Sequence, residues 1–295
     1  MFDRAALAAL CVVLDTGSFE AAAARLGISQ SAISQRIKKL EDQTGAILIR
    51  RTRPARATKA GRALQAHAET LNLLERDVAR AMKHTLHGLD HPLRIAVTAD
   101  TLASWVLPAL PQEDRLFYDL VIDDQDHSAE LLMRGEVAAA VTSRKVPLTG
   151  CDVIELGPLR YAAFASSDFV ERHFPVGITA DALAQAPALT FNRKDRLQLA
   201  WASKVANHPF SSLPTHYVPS THGITEAARV GLGWAVNPLP LVEPLFDNGT
   251  LVQLRPDITL ETPLYWQVPR QNKDALARLT RRLVAHAHGQ RSGQN

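Results

Sequence analysis

Polar and basic side chains recur at helical spacing between residues 29 and 39. Ile33, Ile37 and Leu40 form an apolar stripe on one face of this segment, which leaves the polar side chains on the opposite face. Glutamine and serine can hydrogen-bond to base edges in the major groove of DNA, and lysine can pair with phosphates. The candidates for DNA contact on this face are Ser29, Gln30, Ser31, Ser34, Gln35, Lys38 and Lys39. Alone, the pattern fits the solvated face of a purely structural helix equally well.

A cluster of arginines follows this helix. Four arginines surround Pro54 between residues 50 and 56, and no acidic residue lies among them. The cluster comes after a predicted strand over 46–50 and before a helix that Thr58 can cap. Such a charged hairpin is typical of a β-wing that contacts the DNA backbone or minor groove. The candidates here are Arg51, Arg53 and Arg56.

Three short helices must position these side chains. The apolar run Ala5–Leu14 predicts a buried first helix, and it makes a poor signal peptide because acidic residues flank it. Ser18 can cap a second helix that ends before Gly27, and Ser29 can cap a third over Gln30–Gln43. Two helices joined by a short glycine-containing turn are a helix-turn-helix. The charge agrees, since residues 1–62 hold 11 Lys and Arg against 5 Asp and Glu, whereas residues 63–295 hold 22 against 25.

A long helix is predicted from Thr58 to about Thr85, with an apolar seam at heptad spacing. This seam indicates a short coiled coil that pairs two copies, so that they read a two-fold symmetric operator. The dimerisation candidates are Leu64, Leu71, Leu74 and Val78. The alternative is that the seam packs on the chain's own body. After it, His84, His87 and His91 surround Gly88 and precede Pro92, which indicates a polar hinge more than a metal site.

The rest of the chain alternates short apolar strands with helices, the pattern of parallel sheets covered on both faces. The series restarts at Tyr161, which predicts two similar lobes with a cleft between them. We therefore expect a multidomain protein that comprises an all-α winged helix-turn-helix head, a long dimerisation helix and a two-lobed α/β body. The expected division is 1–60 for the head, 61–91 for the helix and hinge, 92–160 with 267–295 for lobe 1, and 161–266 for lobe 2.

The head resembles that of the LysR-type transcriptional regulators. The resemblance lies in Ser18-Phe19-x-x-Ala22-Ala23-x-x-Leu26, Ser29-Gln30-Ser31-Ala32-Ile33-Ser34, Ile37-x-x-Leu40-Glu41 and Thr58-x-x-Gly61. The body is similar to the effector-binding domain of the same family, which has a periplasmic-binding-protein-like fold. Within the family, the segments 97–110, 134–137, 173–175 and 264–266 look like those of the ArgP/LysG branch. The resemblance implies a regulator of basic amino-acid export or metabolism genes that senses lysine or arginine as a homodimer or homotetramer.

A cleft for a cationic amino acid needs donors for a carboxylate and acceptors for ammonium groups. The predicted strand ends and helix starts supply both kinds of group. The candidates for effector contact are Asp100, Thr101, Leu102, Ser104, Asp124, Thr142, Ser166, Ser220 and Thr221. Asp100 can instead cap the helix that follows it, and Asp126 or Ser128 can cap the next one.

Other functional classes have weaker support. The sequence contains no G-x-S-x-G, Walker A or H-E-x-x-H motif, and its two cysteines, Cys11 and Cys151, lie far apart. We therefore predict no enzyme activity, no cofactor, no metal site, no membrane contact and a cytoplasmic location. Three alternatives stay open: a regulator with another small-molecule effector, an architectural DNA-binding protein without an amino-acid effector, and a catalytic body joined to a regulatory head.

Overall fold

The computed structural model describes residues 2–81, 92–111, 117–122 and 128–292. Asp124 and the three histidines at 84, 87 and 91 lie outside these ranges, and the side chain of Val78 is not described. No helix in the described part of the chain is long and apolar enough to cross a membrane.

The N-terminal head is three helices followed by a two-stranded wing. The helices are α1 (Arg4–Thr16), α2 (Phe19–Leu26) and α3 (Gln30–Thr44), and the wing pairs β1 (Ile49–Arg50) with β2 (Arg56–Ala57). The expected caps are present, because Ser18 accepts a hydrogen bond from Ala21 N and Ser29 accepts one from Ala32 N. Gly27 ends α2 in the left-handed conformation, at φ 65°. The predicted buried first helix is present, and Cys11 lies in its core face.

The wing is fastened at both of its ends. The amide of Ala55 donates to the carbonyl of Gly17 at 2.8 Å, which ties the tip side of the wing to the turn between α1 and α2. At the other end, Thr58 caps the next helix and also donates to the carbonyl of Ile47. Gly61 has no substitute here, since a Cβ at this position would lie 2.0 Å from the carbonyl oxygen of Leu48. The wing therefore has a fixed position relative to α3.

The long helix α4 (Lys59–Ala81) packs mainly within its own chain. Leu64 is only 6% exposed and belongs to the core of the head, against which Leu71 also packs. The prediction that Leu64 contacts a second copy is therefore wrong, because α1 already covers that side chain. Leu74 is 43% exposed and stays available for a partner.

The same helix also contacts the body. The hydroxyl of Thr70 donates to Asn272 Oδ1 at 2.8 Å. A Cβ on Gly135 would lie 2.7 Å from the Cβ of Ala66, so the body approaches the helix closely there. Intrachain packing of the seam, the alternative to the coiled coil, therefore accounts for the N-terminal part of α4.

The body contains one sheet of nine strands among the described residues, in the order β4-β3-β5-β11-β6-β9-β7-β8, with β10 paired to β6. The strands are β3 (Leu93–Val97), β4 (Tyr118–Ile122), β5 (Ala139–Thr142), β6 (Cys151–Ala165), β7 (Ala188–Thr190), β8 (Thr215–Tyr217), β9 (Trp234–Pro238), β10 (Val252–Leu254) and β11 (Leu260–Pro269). The helices are α5 (Ala99–Ser104), α6 (Val106–Ala109), α7 (Ser128–Met133), α8 (Ser167–His173), α9 (Ala180–Gln185), α10 (Leu197–Ala206), α11 (Thr221–Arg229), α12 (Leu239–Asp247) and α13 (Ala277–Ser292), with a 3₁₀ turn at Arg270–Asn272.

Two long strands join the lobes. Strands β6 and β11 pair antiparallel from Leu260↔Tyr161 to Pro269↔Cys151, with a bulge between Leu264 and Tyr265. One end of this pair joins β5 in lobe 1 and the other joins β9 in lobe 2. Each lobe holds a parallel core, formed by β4-β3-β5 and by β8-β7-β9. The α/β elements thus fold into two lobes, and their strand ends face the space between them.

Candidate functional site

The outer face of α3 is open to solvent. Six of the seven predicted side chains on this face are exposed, and Ser34 is half-buried. Three of them also have partners within the chain. Ser29 caps the helix and lies 2.9 Å from Ser31 through the two hydroxyl oxygens. Lys39 pairs with Asp3 at 3.1 Å, and this pairing holds the pKa of that carboxyl below its ordinary value.

The wing concentrates positive charge next to α3. Arg51, Arg53 and Arg56 are all exposed, and the guanidinium of Arg51 lies over the ring of Phe19 at 5.1 Å. Arg50 lies directly opposite Arg56 in the hairpin. Like charges at opposed positions destabilise a hairpin, so an anion close to both would relieve the repulsion. A phosphate backbone supplies such charge.

In the body, Asp100 lies where the two lobes meet. Thr98 caps α5 after β3 and so places Asp100 in the first turn of that helix. Asp100 Oδ1 accepts a hydrogen bond from the hydroxyl of Thr221 at 2.9 Å, and Oδ2 accepts one from the hydroxyl of Tyr161 at 3.0 Å. Thr221 begins α11 and Tyr161 lies in β6, so one carboxylate from lobe 1 binds two hydroxyls of lobe 2.

Asp100 has no positive partner among the described residues. Burial raises the pKa of its carboxyl, the hydrogen bonds from Thr221 and Tyr161 oppose that rise, and the charge of Asp195 adds to it. Burial and the charge of Asp100 also raise the pKa of Tyr161 well above its ordinary value. A buried carboxylate is costly unless a cation compensates it. This site therefore favours a ligand that brings a positive charge.

Several other predicted effector residues serve the local structure. Thr101 is fully buried with its hydroxyl 2.7 Å from that of Thr98, and Ser104 donates to the carbonyl of Asp100 within its own helix. Leu102 packs on the core of the body. These three side chains thus have intrachain roles, and their contacts with a ligand stay predictions.

The remaining predicted residues stabilise helix starts and a turn. Ser166 accepts from Phe169 N and caps α8, and Ser220 accepts from Gly223 N and caps α11. Thr142 is buried at the end of β5, where its hydroxyl oxygen accepts from Arg144 N. Each hydroxyl acts as an acceptor in these bonds and still has an O–H group, so the contacts of Ser166, Ser220 and Thr142 with a ligand stay predictions.

Comparison with protein families gives two matches. A family described as "Bacterial regulatory helix-turn-helix protein, lysR family" matches residues 5–62, and one described as "LysR substrate binding domain" matches residues 87–288. The chain belongs to the LysR family of transcriptional regulators. This membership confirms the predicted head and the two-lobed body. It also confirms that the protein is a DNA-binding, ligand-responsive regulator and does not belong to a class of enzymes.

Relatives within this LysR family are similar over nearly the whole chain. The transcriptional regulator LysG of Mycobacterium tuberculosis is 42% identical over 99% of this chain and 96% of its own. The crystal structure of ArgP from the same organism superimposes with a TM-score of 0.76 at 43% identity, covering 96% of this chain and 97% of that one. Full-length LysG from Corynebacterium glutamicum, solved with bound effector Arg, has a TM-score of 0.67 at 35% identity and covers 97% of this chain and 98% of that one. The resemblance to the ArgP/LysG branch is thereby confirmed.

Two residues of these sites were absent from the predicted set. The sequence pattern places Tyr161 in a strand and nothing more. An apolar strand pattern does not show which side chain of the strand contacts a carboxylate from the other lobe. Arg50 lies in the arginine cluster, and its opposition to Arg56 needs the hairpin register. Arg50 and Arg56 lie at equal distances in the sequence from the centre of the turn, and this symmetry indicates that they face each other.

Proposed function

We propose that this LysR-family regulator binds lysine or arginine in the cleft between its lobes and thereby changes its contact with operator DNA. The observation that carries the proposal is the half-buried Asp100 carboxylate, which has two hydroxyl partners and no cation among the described residues. The arginine bound to the relative from Corynebacterium glutamicum supports the choice of ligand class.

A basic amino acid suits Asp100 for electrostatic reasons. Its α-ammonium or side-chain cation can pair with a buried carboxylate, and hydrogen bonds to charged groups contribute about 1.5–3 kcal/mol each. A neutral analogue leaves the carboxylate uncompensated. The predicted contact of Asp124 with the effector stays a proposal as well, since this residue lies outside the described ranges.

On the DNA side, we assign base contacts to the exposed polar face of α3. The phosphate contacts come from the lysines of that face and from the wing arginines, to which we add Arg50. The regulator acts as a homodimer or homotetramer on a two-fold symmetric operator, and its DNA target places it in the cytoplasm. The domain division of 1–60, 61–91 and the two lobes stays part of this proposal.

The DNA assignment is tested by comparing two substitutions in the head. Ser34→Ala should reduce the preference for operator over unrelated DNA, since a hydroxyl that reads base edges is lost. Arg53→Ala should weaken binding to every sequence and flatten the dependence on salt, because a phosphate contact is lost. Fluorescence anisotropy with both DNAs over a salt series measures the two effects. Unchanged discrimination in Ser34→Ala would contradict the assigned recognition face.

The ligand assignment is tested by calorimetric titration of the full-length protein with arginine and lysine. Asp100→Asn keeps the size of the side chain and should lower the affinity at least about tenfold, since the charge partner is gone. Asp247→Asn, at the exposed end of α12, is the matched control and should bind as the unmodified protein does. Equal affinity in the Asp100 and Asp247 variants would refute the cleft as the site of the cation.

A further inference from the structure

Thr221 lies where the lobes touch, and its hydroxyl forms a bond between them. It is buried in the first turn of α11, and the hydroxyl donates to Asp100 Oδ1 of lobe 1 at 2.9 Å. The helix that carries Asp100, α5, packs against α11, α12 and β9 of lobe 2. The bond therefore joins two elements from different lobes at a place where the lobes are already in contact.

Two buried polar side chains hold Thr221 from inside lobe 2. Asn237 lies on β9, and its Nδ2 donates both to the carbonyl of Thr221 and to the hydroxyl oxygen of Thr225, each at 2.9 Å. The hydroxyl of Thr225 in turn donates to the same carbonyl at 3.2 Å. Buried polar groups need partners, and a network whose members satisfy one another is rigid. It fixes the backbone of Thr221, whose hydroxyl is the group of this network that reaches lobe 1.

We propose that Thr225 and Asn237 are positioning residues of the effector site, which act on Asp100 through the hydroxyl of Thr221. This role rests on the proposed function, in which Asp100 binds the cation of lysine or arginine. A carboxylate accepts about four hydrogen bonds, so the two hydroxyls leave room for an ammonium or guanidinium group. The bond from Thr221 favours the ionised carboxylate and keeps α5 against α11, which preorganises the cleft for a cation.

Two substitutions of Thr221 test the contact by calorimetric titration of the full-length protein with arginine. Thr221→Val removes the hydroxyl, and we expect at least about fivefold weaker binding, because the ligand alone must then hold the lobes together. Thr221→Ser keeps the hydroxyl and should restore the affinity of the unmodified protein. Thr149→Val, at an exposed position of lobe 1, is the control. Equal or tighter binding in Thr221→Val would overturn the proposal, since the hydroxyl would then have no role or would compete with the ligand.

Asn237→Ala tests whether the network acts through Thr221. It removes both donors of the amide and leaves the carbonyl of Thr221 bonded to Thr225. We expect it to weaken arginine binding in the unmodified background and to change it no further in the Thr221→Val background, because the two residues then act on one contact. Independent losses that add in the double variant would contradict a positioning role.

The pH dependence of arginine binding is a readout that a merely structural role would not move. The bond from Thr221 lowers the pKa of Asp100, so Thr221→Val should lose affinity on the acid side at a higher pH than Thr221→Ser. Tyr161 on β6 and Asp195 before α10 also act on this carboxyl, and both are present in the two variants. Coincident pH profiles of the two variants would refute the effect of the hydroxyl on Asp100.

Hydrogen exchange without added amino acid separates this inference from the proposed function. Exchange in α5 of lobe 1 should be faster in Thr221→Val than in Thr221→Ser, because α5 loses its bond to lobe 2. A local role of Thr221 would change exchange in α11 alone. Unchanged exchange in α5 would overturn the inference whether or not arginine binds. Faster exchange in α5 of a protein that does not bind arginine would support the contact and refute the proposed ligand.

Discussion

Asp100 divides its two carboxylate oxygens between hydroxyls that belong to the other lobe. Tyr161 and Thr221 each donate one hydrogen bond, and both bonds favour the ionised carboxylate against the effect of burial. A cationic ligand favours that same ionised form. Ligand affinity and the ionisation of Asp100 are therefore linked.

This linkage gives a prediction of pH dependence. The pKa of Asp100 lies above its ordinary value, so protonation on the acid side should weaken arginine binding at a higher pH than a solvated aspartate would. Tyr161→Phe removes a bond that lowers this pKa and should shift the loss of affinity to still higher pH. Thr149→Val, which removes an exposed hydroxyl in lobe 1, is the control.

Arginine affinity measured by calorimetry between pH 4 and pH 8 checks the expected order of the curves. Asp100→Asn should bind weakly with no acid loss of its own, because the titrating group is absent. A pH profile of Tyr161→Phe that coincides with the control would mean that the hydroxyl does not tune the carboxyl.

At the scale of elements, α4 carries a buried carboxyl where the head meets lobe 1. Burial raises the pKa of Glu69 to about 8, the charge of Arg94 on β3 opposes the rise, and Asp15 on α1 and Asp119 on β4 add to it. Gln65 donates to Glu69 Oε1 at 3.3 Å, while Arg94 is already paired with Asp119 at 2.7 Å. Glu69 thus holds its proton to a higher pH in the folded protein than a solvated glutamate does.

The resulting prediction concerns stability. The folded pKa of about 8 exceeds the ordinary glutamate value of 4.5, so the folded state binds more protons than the unfolded state between these values. The free energy of unfolding should fall as pH rises through this window, by at most about 1.4 kcal/mol per pH unit. Glu69→Gln removes this fall, so its stability relative to the unmodified protein should increase with pH. Urea unfolding at several pH values measures it, with Glu171→Gln on the exposed face of α8 as control; parallel pH profiles would contradict the assigned pKa.

The elements that sequence patterns predicted well are those whose signals are local. The helix-turn-helix follows from its caps at Ser18 and Ser29 and from the apolar stripe of α3. Strand β6 was predicted to begin only at Tyr161, although it begins at Cys151. Its first half mixes exposed and buried side chains and is fixed by distant pairing with β11, which leaves no clear local period. Likewise, the heptads of α4 do not reveal whether a seam residue such as Leu64 meets a second copy or α1 of the same chain.

At the scale of the whole molecule, α4 joins the DNA-binding head to the lobe that carries Asp100. Thr70 bonds to Asn272, whose Nδ2 also donates to the carbonyl of Ala138 beside β5. The helix is thus bound to lobe 1 through Asn272, a side chain that is itself held by the backbone of that lobe. A ligand that changes the closure of the lobes shifts the population of head positions only by its differential affinity for them. By reciprocity, operator DNA must change arginine affinity by the same factor.

Binding to a two-fold symmetric operator needs two paired heads. Among the described seam residues, Leu74 is the one that can contact a second copy. This side chain is 43% exposed on α4, whereas Leu64 is covered by the head. Leu74→Glu places a charge in the proposed contact between helices and should shift the protein toward monomers. It should also weaken binding to a two-site operator far more than binding to a single half-site. Unpaired heads bind separately, so binding of the first head no longer raises the effective concentration of the second. Light scattering after size exclusion and anisotropy with both DNAs measure these effects, and Val176→Glu, at an 86% exposed position, is the control. An oligomeric state and an operator affinity equal to those of the control would show that α4 does not pair through this seam, and the copies would then have to associate through the lobes.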